Sequence, residues 1–197
     1  MPKGANITAS RFADVMTRGR GTEFGATATK YAIELIHAQY GVYKEQVSAP
    51  SLDWGNEYEP VAIGEYESDQ FVSVHSRQDF IEHPDIKGVG FHPDGLVGDD
   101  GVIEVKCPYD FMNHYLNWTE CAQYADYQWQ IQGGLWITGR KWCDFVSFYP
   151  HKANCPIPSL VIHRIERNEA QIAELEARIL KFKDYMSEIT PDKLKSI

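Results

Sequence analysis

The chain is 197 residues long, 43% apolar, 24% charged and 13% aromatic. This is the make-up of a globular protein of ordinary single-domain size with enough apolar side chains for a core; it excludes disorder, collagen-like repeats and a coiled-coil rod. One domain over residues 1–197 is expected, with no membrane span, because no run approaches about 18 apolar residues. The N-terminus leads into no apolar segment of the secretory type. Cys107, Cys121, Cys143 and Cys155 lie 14, 22 and 12 residues apart with no C-x-x-C pair, which suits reduced cytoplasmic thiols better than disulfides or a zinc site.

Net charge is −9 and unevenly spread. Residues 1–30 carry Lys3, Arg11, Arg18, Arg20 and Lys30 against Asp14 and Glu23, a balance of +3. Residues 53–104 hold thirteen carboxylates against Arg77 and Lys87, a balance of −11. Such an acidic block serves either as a solvated, solubilising surface or as a seat for divalent cations.

In chain order, residues 7–18 read as a short helix capped by Thr8 or Ser10 and stopped by Gly19 and Gly21. Residues 27–40 read as a second helix, with Ala32, Leu35, Ile36 and Tyr40 on its inner face and Gly41 at its end. A third starts near Asp53, turns Trp54, Tyr58, Val61 and Ala62 inward, and ends at Gly64. Strands are expected over 70–75, 88–92, 96–97 and 102–106, the last two joined by a tight turn at Asp99, Asp100 and Gly101. Residues 119–137 read as one long buried helix despite Gly133 and Gly134. Residues 143–149 and 159–164 are β-rich. Over 169–189, Ile172, Leu175, Ile179, Phe182, Met186 and Ile189 recur at intervals of 3 and 4, the stripe of a packed helix. This order describes an α/β (α+β) domain with a mixed central sheet flanked by helices.

The segment from His92 to Lys106 carries the chemistry. Glu104 and Lys106 share one face of a strand, and the tight turn folds the preceding strand back so that Asp94 arrives beside Glu104. Two carboxylates and an ammonium then meet on a rigid sheet. Carboxylates held in small number suit Mg²⁺, which keeps positions for water and phosphate. Lys106 is placed to orient or deprotonate a water and to offset charge on phosphorus. Burial lowers its pKa, while the carboxylates and a metal pull in opposite directions. That is the chemistry of metal-assisted phosphodiester hydrolysis. A plain Glu–Lys ion pair in a sheet is the competing explanation.

Pro93, Asp94 and Gly95, followed ten residues after Asp94 by Glu104, Val105 and Lys106, resemble the PD-(D/E)xK nucleases and imply their restriction-endonuclease-like core. Trp54, Gly55, Tyr58 and Glu59 resemble the W-G-x-x-Y/F-E helix of the phage lambda-type (alkaline) exonucleases. The resemblance makes Glu59 the residue that reaches the metal site; its competitor Glu57 projects about 200° away on a helix. Gln130 and Gln132 match that family's Gln-x-Gln helix, with Gln130 on the active-site side. Ile7 to Ser10 match its I-T-A-S, and Glu104 to Pro108 its E-[LV]-K-C-P.

The resemblance implies a Mg²⁺-dependent exodeoxyribonuclease, with Mn²⁺ able to substitute, that digests one strand of duplex DNA from the 5′ end. It further implies a ring-shaped homotrimer working beside a single-strand annealing protein in the cytoplasm of a phage- or prophage-bearing bacterium. Metal ligands are then Glu59, Asp94, Glu104 and the Val105 carbonyl, with Lys106 and Gln130 at the scissile phosphate. Lys3, Ser10 and Arg20 become DNA or 5′-phosphate contacts and Leu52 an apolar wedge at the duplex end. Two departures stand out: His92 replaces a small hydroxyl residue, and Lys3 stands where the family places arginine, a point charge for a fork. Cutting within a duplex is the alternative activity. An iron–sulfur single-strand nuclease needs clustered cysteines. A non-catalytic DNA-end-binding module needs loss of Asp94, Glu104 or Lys106, and all three are present.

Overall fold

The computed structural model describes residues 6–43, 49–76, 79–121, 124–151 and 154–189. Its organising feature is the hairpin of β5 (Gly95–Val97) and β6 (Gly101–Lys106), antiparallel with Gly95 opposite Ile103 and Val97 opposite Gly101. Gly98, at φ +50°, supplies the left-handed residue that the turn requires. Arg140 fastens the turn, donating from Nη1 to the carbonyls of Gly98 (2.8 Å) and Gly101 (2.7 Å).

Around this hairpin the described strands form a mixed sheet. β2 (Val74–Ser76) pairs antiparallel with β5, β7 (Trp142–Phe148) parallel with β6, and β8 (Leu160–Glu166) antiparallel with β7. A smaller sheet sets β4 (Val89–Phe91) between β1 (Ile7–Thr8), parallel to it, and β3 (Ile81–Glu82), antiparallel. β6 is covered on both faces, as a central strand with a parallel neighbour should be. Val102 and Phe145 pack with Ile131, Leu135 and Leu175 on one side. Ile103, Val105, Val146 and Phe148 pack with Ala62 and Tyr66 on the other.

Several boundaries differ from the sequence reading. Ile7 and Thr8 are strand, not helix: they pair with Val89 and Gly90, and a 3₁₀ turn (Ala9–Arg11) and α1 (Phe12–Met16) follow. Thr8 stands at the N-cap of the 3₁₀ turn without a side-chain capping bond, and α1 is preceded by Arg11 and not by Ser10; the Thr8 and Ser10 hydroxyls lie 3.2 Å apart. The second helix, α2 (Ala26–Gln39), buries Ala28, Tyr31, Ala32, Leu35 and Ala38, and leaves Tyr40 outside, 82% exposed.

The third helix, α3 (Pro50–Gln70), begins earlier than expected and runs through Pro60 and Gly64 to Phe71, whose φ of 55° ends it. The residues over 70–73 are thereby lost to the expected strand. Tertiary bonds outweigh the two weak formers. Tyr66 donates to Asp144 (2.7 Å), which is also gripped by both Nε and Nη2 of Arg164 at 2.8 Å, and the Val74 amide donates to Glu67 (2.7 Å). Val61 faces outward, and Ala62 and Tyr66 take the buried positions.

The long helix expected over 119–137 is two helices. α4 (Phe111–Glu120), capped by Asp110, stops at Cys121 (φ 49°), and α5 (Tyr124–Thr138) follows. Gly133 and Gly134 sit in α5 because aromatic rings lie against them. A Cβ there would come within 2.4 Å of Phe12 and 2.8 Å of Phe91. The last helix, α6 (Glu169–Glu188), is capped by Asn168 and keeps the expected stripe. Its Arg178, 5% exposed, donates to the carbonyls of Val15, Thr17 and Glu23, and so holds the loop that carries Arg18 and Arg20. The four cysteines are free thiols, and among the described residues no helix is long and apolar enough to cross a membrane.

Candidate active site

Alternation along β6 turns Ile103 and Val105 to the α3 side and Glu104 to the α5 side. Glu104 is 1% exposed, an expensive place for a carboxylate unless it is partnered. Its Oε1 accepts from Lys106 Nζ (2.5 Å) and from Gln130 Nε2 (2.7 Å). Its Oε2 is buried and, among the described residues, accepts nothing. Asp94, at the foot of β5, accepts the Val105 amide on Oδ2 at 2.7 Å. Lys106 lies over the Tyr127 ring, 4.5 Å from its centre. Tyr127 and Gln130 are three apart on α5 and so share a face, a spacing that exposes Tyr127 as a site residue the sequence reading did not single out.

Burial, reinforced by the charge of Glu104 and to a lesser degree that of Glu59, pushes the Asp94 carboxyl well above its usual range. Burial works to lower the Lys106 pKa, but Glu104 and Asp94 more than offset it, and the net direction is upward. Facing these two carboxylates alone, Lys106 is favoured as an ammonium.

This donor set fits a hard divalent cation. A buried carboxylate oxygen without a partner, beside a second carboxyl that resists ionisation, is what an ion would relieve. Among the described residues, no three His, Cys, Asp or Glu side chains are gathered into a ready cluster. Glu59 is half-buried on α3, near enough for its charge to act on Asp94 and Cys107. Glu57 is exposed.

The other sequence-derived residues lie more openly. Ser10 is exposed in the 3₁₀ turn; Arg20 is exposed on the loop that Arg178 holds, while Arg11 and Arg18 are engaged with Asp14, Glu34 and Glu174. Leu52 is 43% exposed in the first turn of α3. His92 is exposed with its ring 5.1 Å from that of Phe80. Lys3 lies outside the described residues. Of the neighbouring glutamines, only Gln130 reaches Glu104: Gln132 bonds the Glu166 carbonyl and the Asn168 amide, and Gln128 bonds Gln171.

A mixed sheet with Asp94, Glu104 and Lys106 converging on its central hairpin is the core of a PD-(D/E)xK nuclease. Solved structures agree. An alkaline exonuclease from Laribacter hongkongensis is 35% identical over 94% of this chain and 89% of its own, with a TM-score of 0.82. The same enzyme in complex with dAMP superposes with a TM-score of 0.80 at 34% identity, covering 98% of this chain and 96% of the other. A phage-related exonuclease from Haemophilus somnus 129PT shares the fold at 18% identity, with a TM-score of 0.75 and coverage of 97% and 95%. No curated protein sequence matches the chain. Residues 3–141 match the YqaJ-like viral recombinase domain, and the chain belongs to that family.

Proposed function

We propose that the protein is a Mg²⁺-dependent exodeoxyribonuclease that degrades one strand of linear duplex DNA from its 5′ end and leaves a 3′ single-stranded tail. The observation that carries this reading is the Glu104 carboxylate. It is buried, bonded on one oxygen to Lys106 and Gln130, open on the other, and set beside Asp94.

Asp94, Glu104, the Val105 carbonyl and Glu59 would hold Mg²⁺ or Mn²⁺. The bound ion supplies a more acidic water and a counter-charge for the phosphate. Lys106, fixed as a cation by Glu104 and Tyr127, orients the attacking water and offsets negative charge on phosphorus. Gln130 keeps Glu104 in register and offers an uncharged donor to the scissile phosphate. Attack on phosphorus breaks its bond to the 3′ oxygen, which leaves as a hydroxyl on the released nucleotide; the shortened strand keeps a 5′-phosphate. Ser10, Arg20 and Lys3 hold that new terminus, His92 donates to a neighbouring phosphate, and Leu52 wedges the end open.

A chain of net charge −9 has few cations to spare for DNA, so retention on DNA is better served by enclosure in a homotrimeric ring than by salt-sensitive attraction. Such an enzyme works in the bacterial cytoplasm beside a single-strand annealing protein that takes up the tail. The test is nucleotide release in Mg²⁺ from linear duplexes labelled on one strand, set against covalently closed circles. Progressive release from the 5′ end, with circles untouched, is the expected result. Nicking of circles would support an endonuclease instead, and light scattering at 22.5 kDa, the monomer mass, would exclude the ring.

A further inference from the structure

Tyr109 stands three residues past Lys106, between β6 and α4, and is 58% exposed. Its mounting is unusual for a surface tyrosine. The ring meets Trp54 edge to face, with centroids 5.6 Å apart and planes at 87°. Trp54 rests in turn on Tyr58 (4.4 Å) and Tyr149 (5.8 Å), and Tyr149 is backed by Phe111 (5.3 Å). Asp110, the next residue, is fixed as the cap of α4 by accepting the Met112 amide at 2.9 Å. An exposed aromatic face is thus seated on Trp54, which is itself backed by three further rings.

Its position relates it to the reacting centre. Three peptide units span at most about 10 Å, so Tyr109 lies within about that distance of Lys106 along the backbone. Cys107, between them, is close enough to Glu59, Asp94 and Lys106 for their charges to act on its thiol. Trp54 and Tyr58, which seat the ring, share α3 with Leu52 and Glu59. Tyr109 brings no positive charge for a phosphate, but every nucleobase has a face on which such a ring can stack without regard to sequence.

We propose that Tyr109 is a substrate-stacking residue: its ring packs on the terminal nucleobase of the strand being digested and thereby sets the first phosphodiester against Asp94 and Glu104. The assignment rests on the nuclease reading above. It accounts for an exposed aromatic seated on Trp54 at the end of the catalytic strand, and it suits an enzyme that accepts any base.

The test uses full-length protein and a short duplex with 2-aminopurine at the 5′ terminus and a distal fluorophore, in Ca²⁺ to slow cleavage. Anisotropy of the fluorophore reports binding, and quenching of 2-aminopurine reports stacking. Wild type and Tyr109→Phe should bind and quench; Tyr109→Ala should bind and leave the probe bright. In Mg²⁺, Tyr109→Ala should raise KM about tenfold, Tyr109→Phe should stay near wild type, and an abasic 5′ terminus should erase the difference. Undiminished quenching by Tyr109→Ala, an equal loss on abasic ends, or a change of oligomeric mass in place of a change in quenching would overturn the stacking role. Wild-type digestion of the unmodified duplex reads the nuclease assignment separately. If it proceeds while quenching is insensitive to Tyr109, only the stacking falls; if wild type neither binds nor digests, both fall.

Discussion

Removing the ammonium from Lys106 while keeping its bulk, as in Lys106→Met, isolates what the Glu104 carboxylate needs. Glu104 is 1% exposed and Lys106 24%, so solvent screens the pair little. The substitution deletes the 2.5 Å ion pair and the contact with Tyr127, and it leaves Glu104 only the bond from Gln130. Breaking a buried pair from one side costs about 3–5 kcal/mol. The surviving amide bond to a charged acceptor favours the low end, about 3 kcal/mol. For a chain of this size that corresponds to a drop in Tm of roughly 6–12 °C. The measurement is urea and thermal unfolding in EDTA of wild type, Lys106→Met, Glu104→Gln and the double variant. In the double variant a neutral amide faces Gln130 and no charge is stranded, so its stability should return to within about 1 kcal/mol of Glu104→Gln. A loss below about 1 kcal/mol in Lys106→Met, or a double variant as unstable as Lys106→Met, would refute the claim that this lysine compensates a buried charge.

Asp94→Ala and Glu104→Ala should each fold and retain less than about a tenth of wild-type nucleotide release in Mg²⁺, and Ca²⁺ should support little turnover with wild type, because its looser geometry positions water poorly. Gly133→Ala should destabilise the protein by about 1–3 kcal/mol in urea titrations, since the new methyl meets the Phe12 ring at 2.4 Å. Burial lowers the pKa of His83 and His114, and both Nδ1 atoms are placed as acceptors: from the Asp85 and Ile86 amides in one case, from Ser147 in the other. Their contribution is therefore complete above the unfolded-state pKa of about 6.5 and is lost as pH falls toward the depressed folded values, at a slope of up to roughly 1.4 kcal/mol per pH unit per histidine; unfolding curves from pH 7 to 5 check it, and a flat profile counts against it. A 5′-phosphorylated duplex should be digested faster than a 5′-hydroxyl one, with Ser10→Ala combined with Lys3→Ala erasing the preference; equal wild-type rates on the two ends would exclude a phosphate pocket.

How legible each part was depended on where its determinants lie. The hairpin that brings Asp94 to the Glu104 strand could be read directly, because a tight turn and side-chain alternation are local properties of a dozen residues. The stripe of α6 was equally plain, since its period repeats over five turns. Ile7 and Thr8 misled because helix-compatible residues follow them, whereas their own pairing is with Val89, some eighty positions away. Pro60 and Gly64 pointed to an early end for α3, and nothing local shows that Tyr66 will be tied to Asp144 on β7, itself held by Arg164 on β8. Cys121 in a left-handed conformation, which splits the expected long helix, has no composition signal at all. Tyr109 was passed over for a related reason: it becomes distinctive only once Trp54, on a separate helix, is seen beneath it.

The glutamines of α5 show how a helix divides a motif between chemistry and support. Gln128, Gln130 and Gln132 are two apart, and each step of two turns about 200° around the axis, so neighbouring members face nearly opposite ways. Only the middle one can address Glu104. The outer two reach away from the site, Gln128 to Gln171 on α6 and Gln132 to the Glu166 carbonyl and Asn168 amide at the β8–α6 junction. Those three bonds fix the rotation of α5, and a rotation of even one residue, about 100°, would carry Gln130 and Tyr127 off Glu104 and Lys106 together. Gln132, 1% exposed, therefore supports the geometry of the site without touching it, through bonds to a junction on the opposite side of the helix.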